Sequence, residues 1–425
     1  MKQSPLVLIL MGIIILLVVA LGGTLLYIKN QPAPERGIPQ LVDIADMEPD
    51  SSRWGVNFPN QYSSILATKD NNTRTVFGGS EPVSKLEQDP RLVTLFAGYG
   101  FSKDYNEDRG HLNSLEDVRA TKRVYETTPG TCYACKSANN PQLWKDMGPA
   151  DFFKTLFSEL GQHISNPIGC ANCHEAQTMR LVVTNPALEA ALKAQDLDWT
   201  TFTRQEMRTV VCANCHVEYY FSGDGKFLTF PWAKGTNIDQ IAEYYAELDF
   251  KDWDYPETGT PMVKMQHPEY ELFTQNSTHY EARVACADCH MPYTRDGAAK
   301  YSTHDVKSPL LNAEAACGQC HTDVNYVTTR VATIQKQVND TLLATEDAIL
   351  AAVKAIKAAG AAGSAEESAL KEARSLHREA QLRWDFVAAE NSMGFHNPEE
   401  ALRILAKATN LARQAELKAV LAGGR

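Results

Sequence analysis

Ten cysteines fall into five C-x-x-C pairs, and the residue after each pair decides what chemistry it can do. Cys132 and Cys135 are followed by Lys136, Cys170 and Cys173 by His174, and Cys212 and Cys215 by His216. Cys286 and Cys289 are followed by His290, and Cys317 and Cys320 by His321. This spacing attaches a haem through two thioether bonds, with the following residue as a ligand of its iron. One pair alone could be a zinc knuckle, but four closed by histidine and one by lysine read as five covalent c-type haems. No cysteine is left over for a disulfide or a free thiol.

The odd lysine suggests a division of labour. An iron held by histidine on both faces is coordinatively full and suits electron transfer, whereas an iron that takes a substrate needs one open face. Of the eleven histidines, four close the pairs, and His111, His163, His267, His279, His304, His377 and His396 remain. Four of these seven can cap the histidine-closed sites, leaving the Lys136 site open. Lysine binds a metal only after losing its proton, so Lys136 needs a setting that favours the neutral amine.

Two further stretches carry more polar chemistry than a scaffold needs: His216-Val217-Glu218-Tyr219-Tyr220-Phe221 and Lys264-Met265-Gln266-His267-Pro268-Glu269-Tyr270. Glu218 and Gln266 offer the carboxylate and amide oxygens that calcium prefers, although a lone glutamate is more often a surface charge. Asp117-Val118-Arg119 precedes the lysine-closed pair by a dozen residues and offers one cation.

The elements that must position these groups follow from pattern. Residues Leu6 to Ile28 are apolar or small over 23 positions, between Lys2 and Lys29. That is enough to cross a hydrocarbon layer of about 30 Å, so residues 1–29 are expected to form an uncleaved anchor rather than a cleaved signal. Prolines 32, 34, 39, 49 and 59 mark an extended connector. Residues 30–322 carry every haem motif among short helical runs and loops, so a mainly α, loop-rich multihaem core is expected. Residues 323–425 differ: Val327, Val331, Ile334, Val338, Leu342, Ile349, Val353 and Ile356 form the apolar seam of a long helix. Gly360 and Gly363 should end it, Ser364 with Glu367 should cap a second helix to about Glu390, and Asn397-Pro398 should start a third. Such long helices are expected to pack on a second copy, with an antiparallel bundle inside one chain as the alternative. A net charge of -11 argues against nucleic acid as a partner.

Taken together, Lys136 in C-x-x-C-K, the four C-x-x-C-H motifs, Cys215 to Phe221, Gln266 to Glu271, Gly110-His111 and His396 to Glu400 resemble the pentahaem, ammonia-forming cytochrome c nitrite reductases. The resemblance implies a catalytic haem on Cys132, Cys135 and Lys136, faced by Arg119, Tyr219 and His267. It implies calcium held by Glu218, the carbonyls of Tyr219 and Lys264, and the side chain of Gln266. It pairs His304 with His174, His111 with His216, His396 with His290 and His279 with His321, and leaves His163 and His377 structural.

The activity implied is reduction of nitrite to ammonium on the periplasmic side of the cytoplasmic membrane. Electrons would come from a membrane quinol-oxidising cytochrome c, and the enzyme would be a homodimer. A pure electron-transfer cytochrome, or a reductase of hydroxylamine or sulfite, are the alternatives. Many members of the family are released after signal cleavage, whereas this chain reads as anchored.

Overall fold

In a computed structural model the described residues are 5–30, 40–107, 109–362 and 365–423. The N-terminal helix α1 (Pro5–Asn30) has exposed side chains over residues 10–24. Among the described residues no helix is long and apolar enough to cross a membrane. The anchor expected over residues 1–29 lies partly outside the described residues.

Short elements dominate as far as residue 323. They include α2 (Ser51–Asn57), α3 (Ser114–Ala120), α4 (Arg204–Val210), α5 (Ile238–Glu247) and α6 (Glu269–Thr274). Strands occur as two-stranded antiparallel pairs, such as β1 (Tyr220–Ser222) with β2 (Phe227–Thr229) and β3 (Trp253–Asp254) with β4 (Pro261–Met262). Local capping fixes several of these starts: Thr203 and Glu206 form a reciprocal capping box on α4, and Asn237 with Gln240 does the same on α5.

Three long helices follow: α7 (Val324–Ala361), α8 (Glu367–Ala389) and α9 (Pro398–Ala422). Asp323 caps α7 by accepting the Tyr326 N–H at 2.9 Å, and Asn397 caps α9 by accepting that of Glu400 at 3.3 Å. The capping box expected at Ser364 lies outside the described residues; α8 starts after Glu366, whose side chain makes no cap. α7 stops at Ala361, one residue past Gly360, and Gly363 lies outside the described residues.

The seam of α7 is used inside the chain. Val338, Leu342, Ile349 and Val353 are buried with Leu382, Trp384 and Phe386 of α8 and Ile404 and Leu405 of α9, and Ile356 with Leu370 of α8 and Ala419 of α9. Each such side chain contributes about 1.5–3 kcal/mol by leaving water. Ala401, Ala408, Ala412, Ala415 and Ala419 are fully buried along α9, small enough to let the helices close together. The Glu366 N–H reaches the Ala422 carbonyl at 3.3 Å, so α8 and α9 run antiparallel.

Between α8 and α9, Gly394 has φ +73, and a Cβ there would meet both Val338 methyls at 2.9 Å. That tight turn delivers His396. Two large apolar clusters, one built on the long helices with Leu95, Phe96, Tyr245 and Trp253, the other on Tyr133, Phe152, Leu188 and Trp232, border the same cavity.

Candidate functional site

A cavity of about 1790 Å³ runs through the molecule and is lined by all ten cysteines, by Lys136, and by every histidine except His163 and His377. The cysteine motifs sit on single helical turns. The N–H groups of His174, His216 and His321 bond back to the carbonyls of Cys170, Cys212 and Cys317 at 3.0, 2.9 and 2.9 Å. One turn brings positions three and four apart onto one face, so both thiols and the following ligand look the same way. At the fifth pair the Lys136 N–H bonds instead to Tyr133 at 3.0 Å, and among the described residues its Nζ makes no hydrogen bond or ion pair.

The histidines assemble in facing pairs. An imidazole–metal bond is about 2 Å long, so two imidazoles sharing one metal have ring centroids roughly 6 Å apart. His174 and His304 are 6.2 Å apart, His290 and His396 6.1 Å, and His279 and His321 6.4 Å. The Nδ1 atoms of His174, His290 and His304 face the carbonyls of Met179, Lys307 and Ser302 at 2.9, 3.1 and 3.0 Å. That of His396 lies 2.5 Å from Glu390. In each case Nε2 is the nitrogen left for a metal. Burial lowers His111, His290 and His304 to about 4, which keeps them as the neutral imidazoles that ligate. His216 differs: His267 is the ring found at this spacing, 6.4 Å away. His111 lies close enough to His216, His304 and Lys136 for their charges to lower it further.

Contacts between motifs order the five sites. The Cys135 and Cys215 thiols lie close enough to perturb each other, as do those of Cys212 and Cys286. Cys289 lies in the field of Cys317 and Cys320, and Cys215 in that of Cys173. The Cys317 site therefore adjoins the Cys286 site, which adjoins the Cys212 site, which adjoins both the Cys132 and the Cys170 sites. Paired thiols, neutral ring nitrogens and an apolar cavity fit covalently bound haem.

Tyr219 and His267 line the cavity. Arg119 does not: its guanidinium is spent on Tyr133 Oη (3.3 Å) and on the carbonyls of Gly161 (3.2 Å) and Ile164 (2.7 Å). Arg123, past the end of α3 at Ala120, does not line the cavity either, but its charge reaches Tyr219 and Cys132. Burial raises the Tyr219 phenol well above its usual range, and Arg123 pulls it back, as it does the Cys132 thiol. The Arg123 guanidinium rests 4.1 Å from the centre of the Phe101 ring.

Beside the cavity, Glu218 is 0% exposed and accepts hydrogen bonds from Tyr245 Oη (2.8 Å) and the Gln266 N–H (2.6 Å). The Gln266 amide lies 3.3 Å from the Lys264 carbonyl, and turning that amide by half a revolution aims its oxygen the same way. Burial pushes the Glu218 carboxyl well above its usual range, and Glu271, whose Oε1 accepts the Glu218 N–H at 2.9 Å, goes up to about 8. Two buried carboxyls that burial drives toward protonation suit a bound cation. Among the described residues no three His, Cys, Asp or Glu side chains form a metal cage. The oxygen set here is one carboxylate with carbonyls and an amide, which matches calcium rather than zinc.

Fold and site define a multihaem c-type cytochrome. The chain belongs to the cytochrome c552 family, whose model matches residues 50–423, and it carries five covalent haem c groups. It is 40% identical over 384 residues to cytochrome c-552 of Parabacteroides distasonis, covering 88% of this chain and 77% of that one. It is 37% identical over 390 residues to cytochrome c-552 of Maridesulfovibrio salexigens, covering 88% and 76%. Among solved structures it matches the catalytic subunit of cytochrome c nitrite reductase from Desulfovibrio desulfuricans, described with two calcium sites. That match has a TM-score of 0.85 and 35% identity, and covers 90% of this chain and 88% of that one.

Proposed function

We propose that this chain is an ammonia-forming nitrite reductase whose substrate site is built on Cys132, Cys135 and Lys136. The observation that carries this reading is that the one lysine-closed motif shares its cavity wall with Tyr219 and His267, while three of the histidine-closed sites have a second histidine facing them. The 35% identity to the Desulfovibrio enzyme over most of both chains supports it. Haem c at Lys136 supplies an iron face for nitrite and the electrons that reduce it.

The chain's own residues supply the rest. Arg123 adds a positive charge whose field reaches Tyr219 and draws an anion toward the pocket without lining it. The Tyr219 hydroxyl donates a hydrogen bond to the bound substrate. His267 moves protons into the pocket, a task suited to an imidazole because eight protons accompany six electrons in making ammonium from nitrite. Calcium on Glu218, the Tyr219 and Lys264 carbonyls and Gln266 would hold the two pocket segments together.

Residues 1–29 tether the enzyme on the periplasmic face, 30–322 form the pentahaem core, and 323–425 carry the dimer contact. Exposed apolar side chains on α1, and Leu417, Val420 and Leu421 on α9, support the tether and the contact. A membrane quinol-oxidising cytochrome c is the donor. Fractionation of the full chain and light scattering of the detergent-solubilised protein test these points.

The 6.4 Å spacing of His216 and His267 favours one second reading, in which His267 closes the His216 site, His111 closes the Lys136 site, and the protein only carries electrons. Oxidation of reduced viologen by nitrite, with ammonium quantified, separates the two. Ammonium matching the electrons consumed establishes the reductase. No turnover, together with no binding of cyanide or carbon monoxide, establishes the carrier. Lys136→Ala should abolish turnover while leaving both thioethers in place.

A further inference from the structure

Glu269, at the start of α6, lies between two histidines assigned to different tasks. Its Oε2 is 3.7 Å from Nδ1 of His216, and its Oε1 is 4.0 Å from Nδ1 of His267. The carboxylate is 8% exposed, and Oε2 is buried without a hydrogen bond among the described residues. Oε1 is pinned from the other side by Asn391, through its N–H at 3.3 Å and its side-chain amide at 2.5 Å. The Glu269 N–H also bonds to the His267 carbonyl at 2.9 Å, which fixes the spacing of the two side chains.

We propose that Glu269 is a positioning residue shared by the two sites, setting the donor strength of His216 as an iron ligand and the orientation of His267 over the substrate pocket. A carboxylate facing the outer nitrogen of a metal-bound imidazole raises its basicity, whereas a backbone carbonyl, as at His174, His290 and His304, does so less. The motif of His216 adjoins the Lys136 motif through the Cys135–Cys215 contact, so this charge acts on the site next to the substrate. The turn that pins Glu269 through Asn391 also carries Glu390 against His396. One turn between α8 and α9 thus fixes the carboxylates at two neighbouring sites of the series. The His267 half of the proposal rests on the nitrite-reductase reading; the His216 half needs only haem attachment.

The test uses the full chain with five haems loaded. Redox titration at one fixed pH, followed by electron paramagnetic resonance, reads the haem held by Cys212, Cys215 and His216. Nitrite kcat and KM are measured in parallel. In Glu269→Gln the potential of that haem shifts upward, because loss of the negative charge favours the reduced iron. The other potentials stay in place, and kcat falls about 10- to 100-fold. Asn391→Ala keeps the carboxylate and the backbone N–H that faces it but removes the side-chain amide donor, so the same potential shifts downward. It also decides the question should Glu269→Gln fail to load haem. An unmoved potential in the loaded variants overturns the proposal. An unmoved kcat in Glu269→Gln overturns the His267 half alone, and absence of nitrite turnover in the unaltered protein removes the nitrite reading while leaving the potential test intact.

Discussion

Lys264 Nζ lies 2.8 Å from Asp385 Oδ1, with both side chains 1% exposed. The second carboxylate oxygen accepts the Met265 N–H at 2.8 Å, and the Lys264 N–H donates to Asp252 at 2.9 Å. The ammonium also sits 5.0, 4.8 and 5.4 Å from the ring centres of Phe96, Phe101 and Tyr105. This pair therefore rivets the segment carrying Gln266 and His267 to α8. Asp385→Ala strands a buried ammonium and should cost about 3–5 kcal/mol, whereas adding Lys264→Met should recover part of the loss. Denaturant midpoints of the four loaded proteins measure this. Strictly additive losses would show that the two residues do not act together.

His377 supplies a pH dependence that lies away from the haem cavity. It is buried on α8, with Nδ1 3.1 Å from Thr260 Oγ1 and Nε2 3.2 Å from Gln381 Oε1, and burial lowers it to about 4. A histidine lowered in the folded state binds fewer protons there than when unfolded, between about pH 6.5 and 4. Its contribution is complete above pH 6.5 and is lost as pH falls through that window, by at most about 3 kcal/mol. His377→Gln should flatten the acid limb of stability against pH. An unchanged limb would assign acid sensitivity to other groups.

What the sequence could show depended on range. The ten cysteines and their closing residues were legible because one helical turn fixes their geometry within five positions. The seam from Val338 to Ile356 was legible because helix period and burial coincide along α7. Its partner was not: the seam is covered by α8 and α9 of the same chain, and period alone does not say whose helix answers it. The link between Lys264 and Asp385 spans 121 positions and leaves no local pattern. The bonds of Arg119 to the Gly161 and Ile164 carbonyls reach across 42 and 45 positions and leave no local pattern either.

The two arginines give a paired prediction. Arg123→Ala should lower kcat/KM for nitrite by about tenfold, the scale of a lost positive field that draws an anion toward the pocket without touching it. Arg119→Ala should leave kcat/KM within about threefold and instead lower the melting temperature, because the carbonyls of Gly161 and Ile164 lose their donors. Steady-state kinetics with reduced viologen, beside thermal unfolding of both variants, decide it. The reverse ranking would return the pocket to Arg119.

Glu218 tests the cation. Without one, its carboxyl is driven up by burial while Glu271 stands close by, so the folded chain tends to hold protons that the unfolded chain releases. Carboxyls raised in the folded state make stability fall as pH rises, for Glu271 between about 4.5 and 8. A bound calcium ion reverses this by favouring the ionised form. Chelator-treated protein should therefore lose stability between pH 5 and 8 relative to calcium-loaded protein, and Glu218→Gln should abolish the difference along with about one equivalent of bound calcium. Metal analysis and unfolding midpoints at both pH values read the outcome. A calcium content unchanged by Glu218→Gln would place the ion elsewhere, and the Gln266 and Lys264 oxygens would then be held by the protein alone.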